Sequence, residues 1–495
     1  MSLVCRGTNE ALHRRGREVA TALLEAGTST YKLATEPSQE PIIPAADVFE
    51  ETSTDLSDIA RLPTIAECAI HLELLETFNV LREQILRSEE IDKSMGISPK
   101  REIKTGGLGD TKTLKDSTLE GRRQVKWTKY VELAVVRFLA WQASLVDSKP
   151  LDKAPPLDVL LVWHSFLLNP VLFKTHCQKE PLYKLEFPWR DIRACINNRD
   201  WSWTSDPDGP PELFHILANW HNYTASITIT QNNRTTRNRD GTFPSFFSKP
   251  DPFALTNFSL TAAPPSVAAI SPTIPIYPIG TALSKIYGNS NDNGNASDPN
   301  ITSCSSSSLT LALATALFAA VIRQTSFTEK MHTHLWIRSP CTKGTLRRAI
   351  SRYASFLYLM KSSRVKVKLA VPTLEIDLAW HTHQLSSGSR YANAMQILVG
   401  RFVNHDDGID ETKLGEGGKE TSRAWMIEFG EGYRRCLCWD CETLVDELER
   451  EKKGGNEKVD MKVVVKGVEA RVRYHRAVEA ARRKGRALPI WEGNL

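Results

Sequence analysis

The stretch Val371-Pro-Thr-Leu-Glu-Ile-Asp-Leu-Ala-Trp-His-Thr-His-Gln-Leu385 decides the fold, because it repeats in register a sequence met earlier as Pro155-Pro-Leu-Asp-Val-Leu-Leu-Val-Trp-His-Ser-Phe-Leu-Leu-Asn-Pro170. Pro155 matches Pro372, Leu157 matches Leu374 and Asp158 matches Glu375. Val159 matches Ile376, Leu161 matches Leu378, Trp163-His164 matches Trp380-His381, and Leu168 matches Leu385. A constant register over this length reads as an internal duplication. In the first copy a proline pair opens a helix that Asn169-Pro170 ends. That helix is apolar nearly all round, so it is expected to be buried.

Working outward, each copy follows an aromatic-rich helix. Trp127–Ser144 carries Tyr130, Leu133, Ala134, Phe138 and Trp141 on one stripe, and Leu346–Met360 carries Ile350, Tyr353, Phe356, Leu357 and Met360. Further upstream, apolar residues from Ile65 to Arg82 recur at helical spacing. Thr64 stands as N-cap with Glu67 three residues on, a capping box. Gly96–Arg122 reads as a polar loop. The expectation is a mainly α protein made of a duplicated helical module with a Trp-His helix in each copy, residues 61–205 and 308–445.

The two copies are separated by residues 206–307, crowded with Ser, Thr, Asn, Pro and Gly and closing on the serine run Ser305–Ser308. Such a composition cannot bury a core, and a disordered insert is expected; Phe246 and Phe247 are lone aromatic docking points in it. Residues 1–60 are expected to be mostly disordered. Ala11–Ala26 is their one amphipathic stretch, and Glu10, Glu18 and Glu25 argue against a mitochondrial presequence. Residues 446–495 read as a charged helical tail, alternating in sign over Glu442–Lys453. The tail turns basic through Arg471, Arg473, Arg476, Arg482, Arg483, Lys484 and Arg486, with Val468, Val472 and Val478 as its packing face.

Composition narrows the function classes. Across 495 residues, 41% are hydrophobic and 24% charged, and the formal net charge is +5. That is an ordinary globular balance with no global pull toward nucleic acid or membrane. The apolar run Leu309–Ile322 is too short to span a bilayer, which takes about 20 residues, and it contains Thr310 and Thr315; a buried helix and no membrane are expected. Nine cysteines, an odd number, with no secretory signal opening the chain point to reduced thiols and a cytoplasmic or nuclear location.

The Trp-His stretch at Val371–Leu385 resembles the signature of the glycine-rich domain-containing protein-like family of plants and fungi. Ala66-Glu-Cys-Ala-Ile-His-Leu-Glu-Leu-Leu-Glu76, Pro156–His164, Val321-Ile-Arg-Gln-Thr-Ser-Phe-Thr-Glu-Lys-Met331, His405-Asp-Asp407 and Cys436-Leu-Cys-Trp-Asp-Cys-Glu442 extend the likeness over most of residues 60–445. It is nearer the fungal branch. The resemblance implies a shared domain without an assigned reaction. The glycine-rich tail and RNA-binding segment of some plant members have no counterpart in this sequence, and the insert lacks the cysteine pairs expected between the repeats in many fungal relatives.

Zinc is the cofactor the residues suggest. His381 or His383 would join Cys436, Cys438 and Cys441, thiolate and imidazole being the natural zinc ligands. Cys438 and Cys441 stand three apart and converge on a helix. His381 and His383 stand two apart and point to nearly opposite sides. Cys-x-Cys-x-x-Cys is one half-site rather than a paired motif. Trp163-His164 and Trp380-His381 occur in both copies and are read as packing the core. Asp377 and His383 belong to the second copy only, where Leu160 and Phe166 stand in the first; Asp377 is placed to orient His381, four residues on. His332-Thr-His334 is a metal-like spot, and His405-Asp-Asp407 is read as turn residues. No phosphate loop, nucleophile elbow or HExxH helix is present. The first reading is therefore a non-enzymatic interaction or scaffold protein with a protein partner. The alternatives are a metal-dependent enzyme using the second Trp-His repeat, and RNA association through the basic tail.

Overall fold

The computed structural model of the chain describes residues 31–50, 60–100, 102–105, 111–114, 116–146, 150–204, 206, 212–218, 303–454 and 459–491. In chain order these form β1 (Tyr31–Leu33), α1 (Ile65–Arg87), α2 (Glu89–Ser94), β2 (Glu102–Thr105), β3 (Thr111–Leu114), α3 (Leu119–Ser144), α4 (Leu157–Leu167), α5 (Pro170–Cys177), α6 (Trp189–Cys195), α7 (Leu213–Ala218), α8 (Ser303–His334), α9 (Thr342–Lys361), α10 (Leu374–Gln384), α11 (Gly388–Leu398), α12 (Glu411–Phe429), α13 (Trp439–Lys453), α14 (Met461–Arg483) and β4 (Pro489–Trp491). The protein is mainly α. The apolar run Leu309–Ile322 lies within α8, where Leu313, Ala314, Leu317, Ala320 and Val321 are buried. Among the described residues no single helix is long and apolar enough to cross a membrane. Ala11–Ala26 and nearly all of the insert, Phe246 and Phe247 included, lie outside the described residues.

The chain divides into two compact units, one of Met1–Asn79, Leu167–Trp203 and Arg323–Leu495, the other of Val80–Phe166 and Thr204–Ile322. These units cut across the repeat boundaries, since α1, α4 and α8 each give residues to both.

In the first unit the core is built by α9 to α12, with Tyr353, Phe356, Trp380, Tyr391, Met395, Trp425 and Tyr433 buried together. At the start of α1 the capping box forms as its residues predict. The Thr64 amide donates to Glu67 Oε2 at 2.8 Å and the Glu67 amide to Thr64 Oγ1 at 3.1 Å. At the start of α11 a Cβ on Gly388 would lie 2.5 Å from ring carbons of both Phe173 and Tyr183, so only glycine lets these two rings close over the helix.

The N-terminal expectation needs correction over residues 31–50. β1 pairs antiparallel with β4, Tyr31 facing Trp491, and Ile43 joins Tyr474, Val478 and Leu488 in a small core. These contacts lie at the far end of the chain, where local composition carries no trace of them. Arg338, 1% exposed, holds the same region. Its guanidinium donates to the Ile43 and Asn198 carbonyls and stacks 3.8 Å over Trp201, and burial pushes its pKa down to about 9. Near it Glu73 is buried and accepts from Asn198 Nδ2 at 3.1 Å. Burial raises the Glu73 pKa to about 7 against the pull of Asn198, Arg193 and Arg338.

In the second unit β2 and β3 form a short antiparallel ladder, Glu102 opposite Leu114, within the stretch expected to be loop. Lys126, fully buried on α3, meets Asp92 of α2 at 2.7 Å, and Arg123 meets the same carboxylate at 2.6 Å.

The two Trp-His helices are each 11 residues long, and each makes the same three contacts with the long helix before it. Arg137 pairs with Asp158 at 2.8 Å, as Arg352 pairs with Glu375 at 3.0 Å. Phe138 meets Phe166 with ring centres 6.0 Å apart, as Tyr353 meets His383 at 5.7 Å. Trp141 meets Trp163 at 5.3 Å, as Phe356 meets Trp380 at 5.7 Å.

Gly388→Ala is expected to overpack the Phe173–Tyr183 cradle and lower stability by about 1–3 kcal/mol, read by thermal unfolding. Glu73 binds its proton more tightly folded than unfolded, so its contribution is complete below the unfolded carboxyl value and is lost as pH rises toward about 7. Glu73→Gln is therefore expected to raise the melting temperature relative to wild type at pH 8 and to leave it nearly unchanged at pH 4.5.

Candidate metal centre

α10 has no room to turn. Ile376, Ala379 and Trp380 belong to the core of the first unit, and Leu378 and the side chains from His381 to Gln384 are buried too. Thr382 donates back to the Leu378 carbonyl at 2.8 Å and contacts His71 Nδ1 at 2.9 Å. With the helix so fixed, Asp377 and His381, one turn apart, project on a common face, and His381 Nε2 stands 3.4 Å from Asp377 Oδ1. The ring of Phe327 covers His381, with centres 4.2 Å apart.

The loop after α11 brings a third group. Trp380 Nε1 donates to the Tyr391 hydroxyl at 2.9 Å, and that hydroxyl donates to the Val403 carbonyl at 3.0 Å. Asn404 Oδ1 accepts from the Val171 amide at 3.3 Å. Beyond the turn, Asp407 takes Arg323 Nε at 2.8 Å and Gln324 Nε2 at 3.1 Å. Held on both sides, His405 turns inward, edge to face with Trp380 at 4.9 Å. Reading His405 as a turn residue is thus corrected. The turn exists, with Asp406 Oδ1 accepting from the Gly408 amide, but its first imidazole is 11% exposed and faces α10.

Nε2 of His405 lies 3.1 Å from Nε2 of His381 and 3.2 Å from Asp377 Oδ1. With the 3.4 Å side this is a nearly equilateral triangle. It is a poor hydrogen-bond pattern, because one N–H lies along one line only. It is a good coordination pattern: ligands ~2.0–2.1 Å from a tetrahedral ion stand roughly 3.3 Å apart. Burial opposes charge on His405, yet the hydrogen bond and charge of Asp377, the charge of Asp407 and the Leu168 backbone outweigh it, and the pKa is raised. The triangle is thus an electron-rich spot that favours a cation.

The candidates for one zinc site, the three cysteines with His381 or His383, fall into separate places. Cys436, Cys438 and Cys441 come together, their sulfurs within 4.8 Å of one another. His381 goes to Asp377 and His405. His383 goes to neither: its Nδ1 meets the Tyr353 hydroxyl at 2.9 Å, and burial pushes its pKa down to about 3. Among the described residues the two ligand clusters share no member. Two residues apart on a buried helix, the histidines meet different neighbours, Phe327 and His405 for one and Tyr353 and Tyr391 for the other, and the cysteines are fixed at the head of another helix. The Asp377–His381 relation was legible from spacing; His405 needed the fold. Trp163 is buried on α4 and Trp380 on α10, and His164 is kept neutral by burial, with a pKa of about 3. His332 Nδ1 meets Glu76 Oε2 at 2.7 Å, and His334 packs on Trp336.

Four of the tail arginines are paired within the first unit. Arg471 pairs with Glu447 at 2.7 Å and Arg476 with Asp440 at 2.6 Å. Arg482 and Arg483 share Glu479 at 3.4 and 2.9 Å. Val468, Val472 and Val478 are buried.

Residues 283–394, the stretch carrying α8 to α10 with Asp377 and His381, match the family model described as glycine-rich domain-containing protein-like. The chain is similar to glycine-rich domain-containing protein 2 of Arabidopsis thaliana, 42% identical over 94 residues, 18% of this chain and 12% of that protein. It is also similar to glycine-rich domain-containing protein 1 of the same plant, 39% identical over 94 residues, 18% of this chain and 11% of that protein. The chain therefore matches only about an eighth of the length of these curated relatives. No solved structure matches it.

His383→Phe installs the residue that the first copy carries at this position, Phe166. It is expected to cost about 1 kcal/mol through loss of the Tyr353 hydrogen bond, measured by denaturant unfolding.

Proposed function

We propose that this chain is a metal-binding protein whose second Trp-His module holds one divalent transition metal on Asp377, His381 and His405. The observation that carries the reading is the triangle of two imidazole nitrogens and one carboxylate oxygen with sides of 3.1, 3.2 and 3.4 Å. Two imidazoles and a carboxylate suit zinc or iron(II). Three protein ligands leave a position for water or a substrate atom, the mark of a reactive rather than a closed structural site. Bound there, the metal would supply Lewis-acid chemistry, while Asp407, through Arg323 and Gln324, fixes the loop that presents His405.

An interaction role is the second reading. It is favoured by Tyr358, Met426 and Ile427, 55%, 51% and 57% exposed, the first in ring contact with Phe429. Large apolar side chains at such exposure are what a protein partner would cover.

Metal content decides the first reading. It is measured on full-length protein carrying Cys436→Ser, so that thiol-bound metal does not enter the count. One divalent ion per chain is expected. It should be lost on adding Asp377→Ala, His381→Ala or His405→Ala and kept on adding His383→Phe. Absence of a stoichiometric ion after incubation with zinc or anaerobic iron(II) would overturn it.

A further inference from the structure

The cysteine cluster remains outside the centre just described. Cys436 and Cys438 stand with sulfurs 3.4 Å apart, and Cys441 completes a group whose ligand atoms all lie within 4.8 Å of one another. Zinc–sulfur bonds of ~2.3 Å in a tetrahedral shell set sulfurs roughly 3.8 Å apart, so a cation would need only small side-chain adjustments.

We propose that Cys436, Cys438 and Cys441 form a second, separate metal site, a trithiolate for a thiophilic d10 cation, Zn2+ or Cu+. The backbone is held on both sides of the sulfurs. The Leu437 carbonyl accepts from Trp336 Nε1 at 2.8 Å, and Trp439 Nε1 donates to the His334 carbonyl at 2.9 Å. Cys438 occupies the N-cap position of α13 and Cys441 lies in its first turn, so the positive end of the helix offsets thiolate charge. The neighbouring acids are committed elsewhere, Asp440 to Arg476 at 2.6 Å and Glu442 to Arg348 at 2.6 Å. That leaves sulfur as the donor and selects a soft cation. Cys436 is exposed and gives the ion its way in, while Cys438 is buried. Binding releases the three thiol protons to solvent and forms three metal–sulfur bonds, with no change in oxidation state.

The test is titration of reduced, full-length protein with Cd2+, followed by sulfur-to-metal charge-transfer absorption. A band saturating at one equivalent is expected. It should be lost in Cys436→Ser, whose exposed position spares the fold, and in Cys441→Ser, with circular dichroism unchanged. It should be intact in Asp377→Ala, which separates this site from the histidine–carboxylate centre. Zn2+ or Cu+ should then displace the Cd2+, and whichever competes at lower concentration identifies the preferred ion. No band at several equivalents, a band that survives Cys436→Ser, or displacement by neither ion would overturn the proposal.

Discussion

A guanidinium buried against a carboxylate fixes each short Trp-His helix on the long helix before it. In the first unit Arg352, on α9, reaches Glu375 in the first turn of α10, donates to the Tyr433 carbonyl and lies 4.6 Å over the Trp425 ring. Such a buried pair adds little net stability, because desolvating both charges offsets their attraction, while breaking it by removing one partner costs about 3–5 kcal/mol. Its weight falls on register. A helix that rotates by one residue moves its side chains by about 100°, and here that would separate Asp377 and His381 from His405. The ion pair, made in the first turn of α10, is what the placing of Asp377 and His381 along that helix relies on.

The second unit shows what the frame does without the chemistry. Arg137, Asp158, Phe138 and Trp141 reproduce the contacts, and His164 occupies the place of His381. Yet Leu160 stands where Asp377 would be, and burial alone sets the neutral state of His164. Trp-His is therefore the packing element common to both copies. The acid one turn before the histidine is what sets the second copy apart, and the proposed centre rests on it.

How much of this was legible in the sequence follows from range. The helices and the capping box at Thr64 rest on contacts within a few residues, and the apolar spacing of α14 marks its buried face; the periodic pattern records them. β1 does not rest on local contacts: Tyr31 is ordered by Trp491, and Ile43 by Tyr474 and Val478. The same limit explains the centre. Asp377 and His381 share a helix turn, so spacing exposes their relation. His405 follows Asn404 in a stretch whose local chemistry is a turn, and nothing within it records that Tyr391 holds Val403 and Arg323 holds Asp407. The cysteines were legible as a trio, being neighbours on one helix head, but not as a trio apart from the histidines. The tail read as basic because its acidic partners, Glu447 and Asp440, lie in a different helix.

The stretch that matches the family model, residues 283–394, holds two of the three ligands we propose and the side chains that support the third. Phe327 covers His381, and Arg323 with Gln324 clamps Asp407, two residues beyond His405. The end of α8 is thus part of the proposed centre, and its packing sets how firmly His405 is presented. Asp377 is the most exposed of the three proposed ligands, at 21% against 11% for His405 and 2% for His381. Any incoming water or substrate atom would therefore approach from the carboxylate side, with the aromatic rings of Phe327 and Trp380 closing the other. An arrangement with a dry imidazole wall and one wet carboxylate edge is suited to a single small ligand at a time. That distinguishes it from the cysteine cluster, whose exposed member is itself a donor.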